Sequence, residues 1–117
     1  MTEAADNAPV YMRLRAKLAA RILDGRYEPD AQLPSVRAFA AENAVNPLTV
    51  AKAYQCLQGD GYIEARRGVG MFVTSGATDR LRAMERDHFL GQIWPEMQAH
   101  IARLGLSTEE LFGLEPI

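Results

Sequence analysis

The chain has 117 residues, enough for one domain of ordinary size with a short appendage and too few for a catalytic domain with a second lobe. Hydrophobic residues make up 48% and charged residues 24%, the balance of a globular chain and not of a disordered one. The net charge of −2 hides an asymmetry: residues 9–74 hold nine Lys/Arg against six Asp/Glu, and residues 75–117 hold four against seven, so a polyanion contact is expected in the first part.

A single cysteine, Cys56, excludes an internal disulfide and a multi-cysteine zinc site and fits a reducing compartment. The start, MTEAADNAPVY, has no basic and then apolar leader, and no apolar run approaches the roughly 20 residues of a membrane span, so a cytoplasmic protein with no membrane partner is expected. Residues 1–8 are small, polar and unpatterned and are expected to be disordered.

Pro9 opens a helix in which Tyr11, Leu14, Leu18 and Ile22 form one apolar stripe, closed by Asp24-Gly25. A loop, RYEPDAQLP, leads to Ser35 as the N-cap of a second short helix that carries Val36, Phe39 and Ala40 and stops near Asn43. Asn43-Ala44-Val45 forms a tight turn. Asn46-Pro47 then starts a third helix, because proline is tolerated where its missing N–H would have no partner and asparagine is a preferred cap. This helix runs to about Gln58 and buries Val50, Ala53, Tyr54 and Leu57, leaving Leu48, Lys52 and Gln55 on the opposite side with Thr49, Ala51 and Cys56 flanking.

The pattern then changes to strand. Tyr62–Arg66 and Met71–Thr74 are rich in aromatic and β-branched residues and flank Arg67-Gly68-Val69-Gly70, which reads as a hairpin with a basic tip. Two glycines in a hairpin with no following helix N-terminus do not make a nucleotide phosphate loop. Three helices followed by a basic hairpin is the order of a winged helix-turn-helix.

Thr78-Asp79 is expected to cap a long fourth helix, Leu81–Leu104, whose Leu90, Trp94, Met97, Ile101 and Leu104 recur in steps of four and three, the seam of a helix that packs on a partner. Pro95 should kink it near Gly91. Gly105 stops it, and Ser107 with Glu110 reads as a capping box for a last short helix bearing Leu111, Phe112 and Leu114. A helical hairpin of this length cannot bury both apolar faces alone; it needs the domain or a second chain. The expected fold class is α+β, mostly α. The expected domains are a disordered segment (residues 1–8), a winged helix-turn-helix DNA-binding domain (residues 9–75) and a C-terminal helical hairpin for dimerisation (residues 76–117).

The stretch LPSVRAFAAENAVNPLTVAKAYQCLQGDGYIEARRGVGMFV resembles the N-terminal winged helix of GntR-family bacterial transcription regulators, and VNPLTVAKAY with RRGVGMFV and the short tail resembles the YtrA subfamily. The resemblance covers roughly Val10 to Thr74 and rests on several separated motifs in order. It implies a cytoplasmic homodimer that binds a pseudo-palindromic operator on double-stranded DNA, usually represses it, and is often released by a small-molecule effector. It implies DNA contacts at Ser35 and Arg37, at Asn46, Pro47, Leu48, Thr49 and Lys52, and at Arg66, Arg67 and Gly68 of the wing, with Leu90, Trp94, Met97, Ile101 and Leu104 in the dimerisation segment. Three positions depart from the family pattern. Asp30 stands where glycine is common, a change confined to a loop; Leu48 stands at an often polar position and can meet a thymine methyl but cannot hydrogen-bond a base; Met71 replaces a common threonine and its phosphate contact.

Each feature has a plainer reading. Arg37 could be a solvated surface residue, although a cation at a helix start is disfavoured by the dipole; Arg66-Arg67 could be a charged edge that blocks strand pairing; Asn46 serves mainly as a cap; Trp94, Met97 and Ile101 could be core or line a ligand pocket. His88 and His100, with Glu85 nearby, lack a third convergent ligand, so no metal or cofactor is expected. No catalytic constellation stands out and no enzymatic activity is expected. The competing function is a winged helix used for protein interaction without DNA, which Leu48 favours and Arg37, Lys52, Arg66 and Arg67 oppose. A third is a small-molecule binding protein built on the helical tail.

Overall fold

The computed structural model describes residues 8–114, so the segment expected to be disordered lies, except for Ala8, outside the described residues. The chain divides into two compact units, the first ending at Arg82 and the second beginning at Ala83.

The first unit is built around one cluster. Helix α1, Val10–Leu23, buries Leu14, Leu18, Ala19 and Ile22, while Tyr11 at the head of the same stripe is half-buried. Helix α2, Val36–Asn43, contributes Phe39 and Ala40, and helix α3, Pro47–Gly59, contributes Val50, Ala53, Tyr54 and Leu57. Helix α3 packs on α1, on α2 and on strand β1, Ile63–Arg66, and so forms the hub of the domain. The Tyr54 hydroxyl donates to the carbonyl of Pro34 at 2.6 Å, so the phenol inside the core is satisfied. Burial, with Tyr27 as a lesser contributor, pushes that phenol well above the usual tyrosine range.

Ion pairs and hydrogen bonds fasten α1 to its neighbours. Arg15 donates to Asp60 at 2.8 Å, Lys17 to the side chain of Asn43 at 2.6 Å, and Arg21 to both Glu42 at 2.6 Å and the Tyr27 hydroxyl at 2.8 Å. The Arg21 guanidinium also lies 5.2 Å from the centre of the Phe39 ring. Its hydrogen bond holds the Glu42 carboxyl below the usual carboxylate range.

Helix α2 begins as expected, with the Ser35 hydroxyl accepting from the Ala38 N–H at 3.1 Å. It ends through Ala44, whose left-handed φ of 54° turns the chain so that the Val45 N–H bonds the carbonyl of Ala40. The connection to α3 is therefore Ala44–Asn46, one residue later than the turn read from the sequence. Asn46 caps α3, its side-chain oxygen accepting from the Leu48 N–H at 2.8 Å, with Pro47 in the first turn.

Strand β2, Gly70–Val73, pairs antiparallel with β1, Ile63 opposite Val73 and Arg66 opposite Gly70. The first strand starts one residue later than expected and ends at Arg66 as read, while the second is displaced by one residue; Thr74, just past its end, still donates its N–H to the Tyr62 carbonyl and its hydroxyl to the Gly61 carbonyl. The preceding loop is more ordered than its composition suggests. Residues 30–33 run beside β2, with Asp30 N–H donating to Val73, Val73 N–H to Ala31 and Leu33 N–H to Met71, and an isolated bridge joins Gln32 to Phe72. Asp30 takes φ 67°, the region that explains a common glycine there.

The next helix, α4, is Ala77–His88 and not a helix from Leu81 capped by Thr78-Asp79. Gly76, at φ 74°, supplies the turn, and the Arg80 N–H already bonds the Gly76 carbonyl. Asp79 instead accepts from Arg82 within the first turn, and Ala77 and Leu81 are buried in the core of the first unit.

In the second unit the expected kink is a π turn, Phe89–Ile93, followed by α5, Trp94–Arg103. Pro95 has no N–H and its ring would meet the carbonyl of Gly91; a wider turn, with the Trp94 N–H reaching the Phe89 carbonyl, absorbs that conflict. Gly105 stops the helix as expected. Helix α6, Thr108–Phe112, starts on the Ser107 hydroxyl, which accepts from the Glu110 N–H and donates to the Glu110 carboxylate; Leu114 lies just beyond it. Leu90, Met97 and Leu104 are exposed and Trp94 and Ile101 half-buried. Among the described residues no helix is long and apolar enough to cross a membrane.

The left-handed Ala44 is the clearest local cost in the helix-turn-helix. Ala44→Gly should raise stability by about 1 kcal/mol in urea unfolding, since the Cβ penalty exceeds the entropy that glycine adds to the unfolded chain.

Candidate nucleic-acid interface

Burial of Val50, Ala53, Tyr54 and Leu57 turns the opposite side of α3 outward. Leu48 there is 79% exposed, Lys52 and Gln55 are exposed, and Thr49, Ala51 and Cys56 are half-buried along the flanks. Lys52 does not wave freely: its ammonium lies 4.1 Å from the centre of the Tyr11 ring, so α1 supplies an aromatic rest that sets its direction. Tyr11 heads the apolar stripe of α1, and its half-buried ring beneath the Lys52 ammonium is a feature that helical periodicity in α1 alone does not reveal.

Arg37 is exposed in the first turn of α2 and, among the described residues, has no side-chain partner. Ser35, also exposed, uses its oxygen as the cap. Asn46 does the same for α3, and Pro47 beside it carries no N–H.

The two wing arginines differ in role. Arg66 is held on the wing: its guanidinium donates to Asp30 at 2.8 Å, approaches Glu64 at 3.7 Å and lies 4.1 Å from the centre of the Phe72 ring. Arg67 is exposed at the tip with no side-chain partner among the described residues. Asp30 is therefore more than a loop substitution, since its carboxylate holds Arg66 near the tip of the hairpin while its N–H holds Val73 at the base. Gln32, in the loop before α2, donates its amide to the Val69 carbonyl at 2.9 Å and braces the tip from a distance of 37 residues along the chain. Gly68, at φ 75°, has open space where a Cβ would stand, so backbone is accessible there.

His88 and His100 are exposed on separate helices, and no group of three or more His, Cys, Asp or Glu able to hold a metal occurs among the described residues.

Residues 10–73 match the family described as bacterial regulatory proteins, gntR family. The chain belongs to the gntR family. It is a transcription regulator with that family's winged-helix DNA-binding domain, and its relatives are regulators and not enzymes. It is similar to the HTH-type transcriptional regulator YhcF of Bacillus subtilis, at 30% identity over 88% of this chain and 84% of that one. The HTH-type transcriptional repressor YtrA of the same organism is 36% identical over 64% of this chain, which spans 58% of its length, in line with the YtrA resemblance. A GntR family transcriptional regulator from Listeria monocytogenes superposes with a TM-score of 0.73 at 27% identity, covering 92% of each chain. The DNA-binding domain of AraR, solved in complex with operator ORE1, matches 57% of this chain and 82% of its own, with a TM-score of 0.56 at 25% identity. The winged-helix fold and the family membership read from the motifs are thus borne out.

The wing's shape depends on Gly70, which sits at φ 143° and where a Cβ would lie 2.7 Å from the Gln32 amide nitrogen. Gly70→Ala should displace Gln32 from the Val69 carbonyl and strain the backbone by about 1–3 kcal/mol. Hydrogen exchange should then speed up at the Val69 and Val73 amides and stay slow in α3.

Proposed function

We propose that the chain is a cytoplasmic homodimeric repressor that binds a pseudo-palindromic operator, each subunit laying α3 into a major groove and its wing on the flanking groove or backbone. The observation that carries this reading is the outward side of α3, on which a steered cation, Lys52, lies; Arg37 in the first turn of α2 and Arg67 at the wing tip add exposed guanidiniums that, among the described residues, no internal partner uses. Phosphate contacts by these cations, with Ser35, Asn46, Pro47 and the Gly68 backbone close to the duplex, would set register, while Thr49 and Leu48 approach base edges. Arg66 would act by holding the hairpin that carries Arg67.

Pairing of subunits is assigned to the tail, residues 76–117, where Leu90, Trp94, Met97, Ile101 and Leu104 lie exposed or half-buried on one chain. A second copy would cover them, and two α3 helices would then meet half-sites about 34–36 Å apart or a little more. Repression is supported by the name of the similar YtrA. A small-molecule effector acting on the tail would release the operator by changing that pairing.

Selection of bound duplexes from a random pool tests the reading, since a recovered palindrome reports symmetry, spacing and specificity together. The exposed Leu48 favours one other reading, a protein-interaction module, which recovery of no sequence would support.

Arg67→Ala should weaken binding to every duplex and lower the slope of log K against log salt by roughly one unit per subunit, whereas Arg66→Ala should leave that slope nearly unchanged. An unaltered slope for Arg67→Ala removes the wing tip from the contact. Polar replacement of Trp94 and Ile101 should move sedimentation toward monomer and reduce operator affinity; a variant that stays dimeric places the seam elsewhere.

A further inference from the structure

The first turn of α3 has an unusual chemistry for a surface that meets DNA. A helix N-terminus normally offers free N–H groups, but here Pro47 has none and the Leu48 N–H is taken by the Asn46 side chain at 2.8 Å. The Leu48 side chain, 79% exposed, cannot hydrogen-bond at all. Ala51, one turn further on and half-buried on the flank, adds only a methyl group, and Lys52, exposed like Leu48, would hold this side against a polyanion. Neither backbone nor side chain at position 48 can therefore answer a donor or acceptor on a base edge. In the major groove one base displays an apolar group, thymine, through its C5-methyl.

We propose that Leu48 reads a thymine methyl, so that each half-site carries a T·A pair beneath the first turn of α3. The inference rests on the DNA-reading function proposed above and adds to it the base recognised and the means, contact without hydrogen bonding. A cytosine at that place would present its amino donor to a leucine that cannot accept, leaving the donor desolvated and unpaired.

The test uses the full chain and synthetic duplexes of the selected sequence in which deoxyuridine replaces each thymine in turn, removing a methyl and no hydrogen-bonding group. A replacement in one half-site should weaken wild-type binding about fourfold, the worth of one buried methyl, and the same replacement in both half-sites about sixteenfold. Leu48→Ala, at an exposed position that leaves the core intact, should bind the thymine duplex more weakly and lose all sensitivity to that replacement, while Leu48→Met should keep part of it. A selected half-site without thymine, a wild-type chain indifferent to every deoxyuridine, or a Leu48→Ala variant that still discriminates would overturn the inference alone, since selective binding would persist. Recovery of no sequence would overturn the DNA reading and this inference with it.

Discussion

Val50, Ala53, Tyr54 and Leu57 are sealed against α1, α2 and β1, and this one apolar stripe leaves α3 no freedom to rotate about its axis. Every property of the outward side follows from that constraint. With 100° between successive residues, burying one set of side chains dictates which others face away, so Leu48, Lys52 and Gln55 are where they are because four different residues are not. Asn46-Pro47 sets where the helix begins and hence which residues occupy its first turn.

Electrostatics within the domain is divided between holding and reaching. Arg15, Lys17, Arg21 and Arg66 face Asp60, Asn43, Glu42 and Asp30, so much of the basic excess in residues 9–74 is engaged inside the fold. Surface links of this kind contribute little to stability one by one, at most about 1 kcal/mol each. Their effect is geometric. They join α1 to the ends of α2 and α3 and the hairpin to the loop before α2, while Arg37 and Arg67, among the described residues, keep exposed guanidiniums with no internal side-chain partner.

The α3 stripe, the caps at Ser35, Asn46 and Ser107, and the hairpin were legible in the sequence because each depends on neighbours within a few residues. The one-residue shift at the helix connection arises where a left-handed Ala44 redirects the backbone, a choice that composition does not announce, and the strand bounds differ by a single residue at their ends. The start of α4 was misread because Thr78-Asp79 carries a cap signature while Gly76 does the work of the turn. The expected kink became a π turn because a helix can widen as well as bend around a proline. At the interface, the family pattern named Lys52, Arg66 and Arg67 as equals. Their separation into a steered residue, a pinned one and an unpartnered one depends on Tyr11 and Asp30, distant in the chain, and on Phe72 across the hairpin, and no single-element pattern carries such information.

The Tyr54 hydroxyl joins the middle of α3 to the carbonyl of Pro34, one residue before the cap of α2. The strap that leads to Arg37 and the helix that carries Lys52 are thereby set in a common frame before any duplex arrives. A surface ordered in advance gives up little conformational entropy on docking, so the rate of capture depends chiefly on charge and diffusion. Among duplexes of similar charge, preference for one sequence over another would then be expressed in how long the complex lasts and not in how quickly it forms.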